Sequence, residues 1–146
     1  MYFSSATIDK YRCNPEGFAD FCRKQFYNDS PISYPIDPFS ILKALGIHYS
    51  FRNLDKLEGL LLADNDDTGI NLIVINSKRP IQRIRYSCVH ELCHFLKDVG
   101  DSKYDPWKCI SKSTKKIERY AEDFAAAFLM PKAEVKTIVQ HINKRK

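Results

Sequence analysis

Residues 90–94 read His-Glu-Leu-Cys-His and lie in a segment, 81–97, whose apolar residues recur at helical spacing. At about 100° per residue, two histidines four apart point the same way, one helical turn from each other. The apolar neighbours Val89, Leu92 and Phe95 predict that this helix is mostly buried. Because two buried imidazoles need partners, the chain must fold so that they meet a cation or other polar groups.

The spacing of this motif suits a catalytic metal site. Two imidazole nitrogens on one face of a helix can both bind one zinc ion at about 2 Å. We therefore predict His90 and His94 as ligands of Zn²⁺. Glu91 lies beside their face, where it can reach a water on the metal without binding the metal, as a general base must.

A catalytic zinc ion needs a third protein ligand and one open position. The segment 113–130 predicts a second helix with Ala121 and Phe124 on its buried face, and Glu118 falls on that same face. Because a carboxylate there is costly unless paired or bound to metal, we assign Glu118 as the third ligand. Glu122, one turn on, is expected to orient a histidine through its ring N–H. The exchanged assignment, with Glu122 as the ligand, stays open on geometry alone.

The five cysteines are odd in number and do not predict a disulfide framework. Cys88 and Cys93 lie on different sides of the helix from each other, so they cannot complete a structural zinc knot with the histidines. A cysteine–histidine nucleophile pair would occupy the imidazoles needed for the metal, so both cysteines are interpreted as small core residues. Cys109 is expected to be the exposed thiol. Reduced thiols, and a start at Met1–Ile8 unlike a signal peptide, favour a cytoplasmic protein.

The remaining pattern predicts an α+β fold, a small antiparallel three-stranded sheet packed with helices. Helices are expected after Asn14 and after Asp37, each with proline at its first position, and a last amphipathic helix after Pro131. Strands are expected at 47–51, 59–63 and 70–75, the last two joined as a hairpin. We expect residues 1–146 to form a single domain.

Charge and hydropathy argue against two classes of partner. Residues 1–73 carry a net charge of −3 and residues 74–146 a net charge of +8. A solvated lysine-rich surface explains this asymmetry, and no helix-turn-helix is evident, so no direct nucleic-acid binding is expected. The apolar stretches are too short to cross a bilayer, so no membrane partner is expected. The sequence does not indicate an oligomeric state.

Four stretches together carry a family resemblance. They read PIDPFSILKALGIHYSF at 35–51, IVIN at 73–76, RIRYSCVHELCH at 83–94 and ERYAEDFAAAFLMP at 118–131. The combination resembles the ImmA/IrrE-type zinc metallopeptidases, which are similar to gluzincin peptidases. It spans about residues 35–131, leaving 1–34 as an N-terminal helical extension and 132–146 as a C-terminal helix with a basic tail.

The resemblance implies a zincin-like active-site helix pair and a role for each matching residue. His90 and His94 match the zinc ligands, Glu91 the catalytic base and Glu118 the third-ligand position. Two departures stand beside these matches. Cys93 replaces a glycine of the family, and Glu122 replaces an asparagine.

The same resemblance implies a substrate class. Characterised members cleave a partner repressor that carries a helix-turn-helix domain, in stress responses or mobile elements. The expected function is therefore a zinc-dependent metallo-endopeptidase that hydrolyses a specific protein partner. The alternative is a non-cleaving binding module of a toxin–antitoxin-like or regulatory pair.

Two further expectations concern substrate binding. An extended substrate is expected to pair with an edge strand, and the strand at 70–75 is the first choice. An oxyanion donor is expected opposite the metal. The residues considered for that role are Tyr104, Tyr120, Arg85 and His141.

Overall fold

The computed structural model describes residues 2–63, 69–99 and 115–145 of the chain. Its elements follow in the order α1 Ser5–Lys10, α2 Pro15–Phe26, α3 Pro38–Ala44, β1 His48–Arg52, β2 Gly59–Leu62, β3 Leu72–Asn76, α4 Ile81–Cys93, a π-helical turn His94–Asp98, α5 Lys115–Leu129 and α6 Lys132–Lys144. The predicted α+β class is confirmed. Cys109, Tyr104 and most of the predicted hairpin loop lie outside the described residues.

Local sequence signals place the starts of two helices as expected. The Asn14 side chain accepts a hydrogen bond from the Gly17 N–H (2.9 Å) and caps α2. Asp37 caps α3 by accepting from the Phe39 N–H (3.0 Å). Beyond α3 the chain turns at Gly46, whose φ of 73° suits glycine. The short helix α1 was not predicted.

The sheet is mixed, which corrects the antiparallel prediction. Strand β3 lies in the middle, between β1 and β2. The hairpin partners β2 and β3 pair antiparallel as expected, with Leu60 opposite Val74. In contrast, β1 pairs parallel with β3, with Ser50 opposite Val74. Alternation of apolar and polar residues fixes which face of a strand is buried, but it contains no information on strand direction or order.

The hydrophobic core lies where α5 packs against α2 and α4, and where α4 packs on the sheet. Its largest buried side chains are Phe18, Ile36, Leu42, Leu61, Ile73, Ile75, Val89, Leu92, Leu96, Phe124 and Phe128. Cys88 and Cys93 are fully buried free thiols within this core, which confirms their interpretation as packing residues. Burial raises the pKa of both thiols, so neither is an activated nucleophile.

In the part of the chain that the structure describes, each helix is too short or too polar to cross a lipid bilayer.

Candidate metal centre

The two histidines of the motif lie at the junction between α4 and the π-helical turn. His90 belongs to the last turn of α4, and His94 is the first residue of the π-helical turn. Their rings face the same side, with the two Nε2 atoms 3.2 Å apart. The His94 side chain is only 2% exposed and that of His90 13%, so both imidazoles are desolvated. The predicted clustering on one face is therefore present in the structure.

Helix α5 brings Glu118 to the same point. Its Oε2 lies 2.8 Å from the Nε2 of His90, and its Oε1 lies 3.0 Å from the Nε2 of His94. The Oε1 atom is buried and makes no hydrogen bond of acceptable geometry within the described chain. One ligand atom from each of the three residues lies within 4.8 Å of the other two. A buried carboxylate oxygen in this position is suited to bind a cation.

The donor set and its spacing fit a zinc ion. Four ligands at about 2.0–2.1 Å in a tetrahedron stand about 3.3 Å apart from one another. The two Nε2 atoms stand 3.2 Å apart, close to that value. The Glu118 oxygens stand 2.8 Å from the His90 Nε2 and 3.0 Å from the His94 Nε2, which is also close to it. Two imidazole nitrogens and one carboxylate oxygen also form a ligand set that catalytic zinc sites use, with the fourth position open.

The electrostatics of the cluster also favour a bound cation. Burial alone would lower the pKa of His94, but the carboxylates of Asp98 and Glu118 beside its ring raise that pKa to about 10. Burial would raise the pKa of Glu118, but the two histidines beside its carboxylate hold that pKa well below the usual value. Without metal, a proton therefore stays on His94 at neutral pH. A metal ion would displace that proton and take over its role of balancing the carboxylates.

Glu91 lies beside the ligands and is not one of them. It is 7% exposed, and burial raises the pKa of its carboxyl, against the lowering effect of the neighbouring histidines. Its carboxylate makes no hydrogen bond to any described residue. Gly59 of β2 leaves room for it, since a Cβ on that glycine would stand 3.3 Å from the Glu91 Oε1. The carboxylate thus lies beside β2 with no hydrogen bond from a described residue to its proton-accepting oxygens.

These groups face a cavity of about 260 Å³. One wall is β2 with the residues just before it, and the opposite side is formed by α4 and α5. The lining residues are Lys56, Leu57, Glu58, Gly59, Leu60, Leu61, Arg83, Tyr86, Ser87, His90, Glu91, His94, Glu118 and Glu122. Within the described residues, β2 is an edge strand, and its residues line the cavity together with those just before it. The strand predicted to meet the substrate, 70–75, corresponds to β3, which is central, so that prediction is wrong.

The carboxylate that bonds a histidine Nδ1 is that of Asp98, whereas the predicted Glu122 makes no such bond in the structure. Asp98 accepts a hydrogen bond from the Nδ1–H of His94 (2.8 Å), which turns the Nε2 of that ring toward the cluster. Glu122 is exposed, its carboxylate bonds neither histidine, and its backbone carbonyl accepts from the Tyr86 hydroxyl (3.2 Å). The sequence contained a signal for this contact, because Asp98 lies four residues after His94. It was missed because the helix was expected to end at Lys97.

The side chains considered as oxyanion donors lie elsewhere or outside the described residues. Arg85 donates to the Ile36 carbonyl (2.6 Å), and Tyr120 donates to the Tyr11 carbonyl (2.7 Å). His141 is exposed on α6, away from the cavity lining.

Two residues that sequence reasoning did not single out line the cavity instead. They are Arg83 and Tyr86, and the guanidinium of the first lies 5.8 Å from the ring centroid of the second. They precede His90 by seven and four residues, so helical periodicity could have placed them on its face.

Comparison with known families agrees with this geometry. Residues 42–145 match the peptidase family described as the IrrE N-terminal-like domain. Because the match covers more than half of the chain, the chain belongs to this family. The predicted resemblance to ImmA/IrrE-type peptidases is thereby confirmed. A comparison with curated proteins gives no significant match.

Proposed function

We propose that this member of the IrrE N-terminal-like peptidase family is a zinc-dependent metallo-endopeptidase that cuts a specific protein partner. One observation carries the proposal. Three ligand atoms, from His90, His94 and Glu118, converge beside the buried and unbonded carboxylate of Glu91, at the floor of a cavity along an edge strand. This is the arrangement that metal-assisted hydrolysis of an extended chain requires.

The three converging residues would hold the metal through His90 Nε2, His94 Nε2 and a carboxylate oxygen of Glu118. A bound zinc ion supplies Lewis acidity, which makes a water nucleophilic near neutral pH and polarises the scissile carbonyl. Asp98 keeps the His94 ring in the tautomer whose Nε2 can act as a donor to the metal.

Glu91 is assigned the proton transfer. It would take the proton from the attacking water at a carboxylate oxygen and deliver it to the leaving amine. Its burial raises its pKa toward the working pH, which suits a group that must first accept and then return a proton. Gly59, which has no Cβ, leaves free the space beside this carboxylate that a larger residue would crowd.

The edge strand β2 is the proposed docking site for the substrate backbone. It lies at an edge of the described sheet and its residues line the cavity, so an extended segment could add as a further strand and lay its peptide bond over the metal ligands. The preferred substrate is a repressor with a helix-turn-helix domain, a proposal that rests on the family resemblance. A cytoplasmic location stays a prediction.

Metal analysis of the purified protein, combined with Glu91→Gln, tests this function. We expect one zinc ion per chain in both proteins, and cleavage of co-expressed helix-turn-helix repressors by the wild type alone. Glu134→Gln, a half-buried change on α6 away from the cavity lining, is the matched control and should cleave normally. Absence of zinc from the wild type would overturn the metal site. Repressor binding without cleavage would favour the non-cleaving binding module.

A further inference from the structure

The carboxylate that orients His94 is itself held from two sides. Asp98 is 4% exposed, and its Oδ2 accepts from the His94 ring while its Oδ1 accepts from the Lys97 ammonium (2.6 Å). Both carboxylate oxygens are therefore bonded, which fixes the plane of the group. A buried carboxylate is costly without a cation beside it, so Lys97 is what allows Asp98 to stay in this position.

Lys97 in turn lies on an aromatic face. Its ammonium is 4.4 Å from the centroid of the Tyr120 ring, within the range of a favourable cation–π contact. Tyr120 belongs to α5, two residues after Glu118, and is 8% exposed. The two helices that provide the metal ligands are thus also joined beneath the ligands, through Lys97 and Tyr120.

Tyr120 is anchored by the N-terminal part of the chain. Its hydroxyl donates to the backbone carbonyl of Tyr11 (2.7 Å), the residue that ends α1. The Tyr11 ring stacks on Phe21 and packs against Phe18, both on α2. The three residues Tyr11, Phe18 and Phe21 precede residues 42–145, so this anchor lies outside the region that matches the family.

We propose that the N-terminal segment tunes metal affinity through this series of contacts, which we name the His94 support: Tyr11, Tyr120, Lys97 and Asp98. The proposal rests on the proposed zinc site and extends it. Each residue of the His94 support affects His94 only through the following residue in the series. Asp98, the last of them, sets the orientation of the His94 ring. These are positioning residues, so their effect should appear in zinc affinity before any substrate is added.

The test measures the zinc dissociation constant by competition with a chelating indicator. Asp98→Asn should weaken binding about 10- to 100-fold, the range for loss of a contact behind a metal ligand. Lys97→Met and Tyr120→Phe should each weaken it by a smaller factor, roughly 3- to 10-fold, as expected for one hydrogen bond or cation–π contact. Tyr120→Phe removes only the hydroxyl and keeps the ring, so the fold should be preserved.

Each variant has a matched control at an exposed site. Asp123→Asn, Lys24→Met and Tyr49→Phe make the same chemical changes away from the support and should leave the zinc dissociation constant unchanged. Lys97→Arg keeps the cation and should bind zinc nearly as tightly as the wild type.

Double variants separate positioning from general destabilisation. If the members act in series, Lys97→Met should add nothing to Asp98→Asn, and Tyr120→Phe nothing to Lys97→Met. Effects that add, or a fall in the melting temperature of the metal-free protein with unchanged zinc affinity, would overturn the proposal. A wild type that binds no zinc would refute the proposed function instead, so the two failures are distinguishable.

Discussion

Gly59→Ala should slow peptide hydrolysis without weakening metal binding. A Cβ on this residue of β2 would lie 3.3 Å from both Cγ and Oε1 of Glu91, and 3.4 Å from the Val74 carbonyl oxygen. These contacts are tighter than usual, so the neighbour must shift by a few tenths of an ångström. The backbone carbonyl is held in the sheet, so Glu91 is the group that moves.

The size of the effect follows from that shift. A displacement of about 1 Å in a catalytic group reduces the rate about 100-fold, so a few tenths should reduce kcat/KM roughly 2- to 6-fold. The free energy of unfolding should change little, because alanine is favoured over glycine in a strand by about 0.5–1 kcal/mol, which offsets part of the crowding.

The assay compares kcat/KM of the wild type and Gly59→Ala on a peptide that spans the cleavage site. Zinc occupancy and melting temperature are measured on the same samples, because loss of zinc or partial unfolding would also slow the reaction without any shift of Glu91. Gly59→Val, with two more carbons, should lose more activity. Equal rates for all three proteins at full zinc occupancy would refute the role of Gly59 in placing Glu91.

Three further predictions concern the metal and the fold. Glu118→Gln should weaken zinc binding by more than about 100-fold, which exceeds the effect expected for residues that only bond a metal ligand. Competition with a chelating indicator measures this change in the zinc dissociation constant. Removal of zinc should lower the melting temperature, because a ligand at 100 times its dissociation constant stabilises the fold by about 2.7 kcal/mol; a scan with and without zinc checks this. Asn14→Ala should lower stability by about 0.5–2 kcal/mol in urea unfolding through loss of the α2 cap, with zinc affinity unchanged.

The parts of the site that sequence could predict are those whose geometry is local. His90 and His94 share a face because they lie four residues apart in a helix, whatever surrounds that helix. Glu91 follows the first histidine directly, so its place beside the metal follows from the same geometry. Glu118 required one more step, that a carboxylate on a buried helix face needs a partner.

The contact between Asp98 and His94 could also have been predicted from local spacing. Asp98 lies one helical turn after His94 and could have been placed beneath its ring. The expectation that the helix ended at Lys97 removed it from consideration. The π-helical turn keeps the backbone coiled to Asp98, with the Val99 N–H bonded to the His94 carbonyl (3.0 Å).

The sequence by itself determined the helical motif, the helix caps, the α+β class and the burial of Cys88 and Cys93, because each depends on residues close together in the chain. Only the tertiary structure decided the sheet order, which puts β2 and not β3 at the edge beside the ligands. It also decided which carboxylates meet the histidines and how Tyr11 reaches the site through Tyr120. These contacts join residues far apart in sequence, and their geometry depends on how the whole core packs.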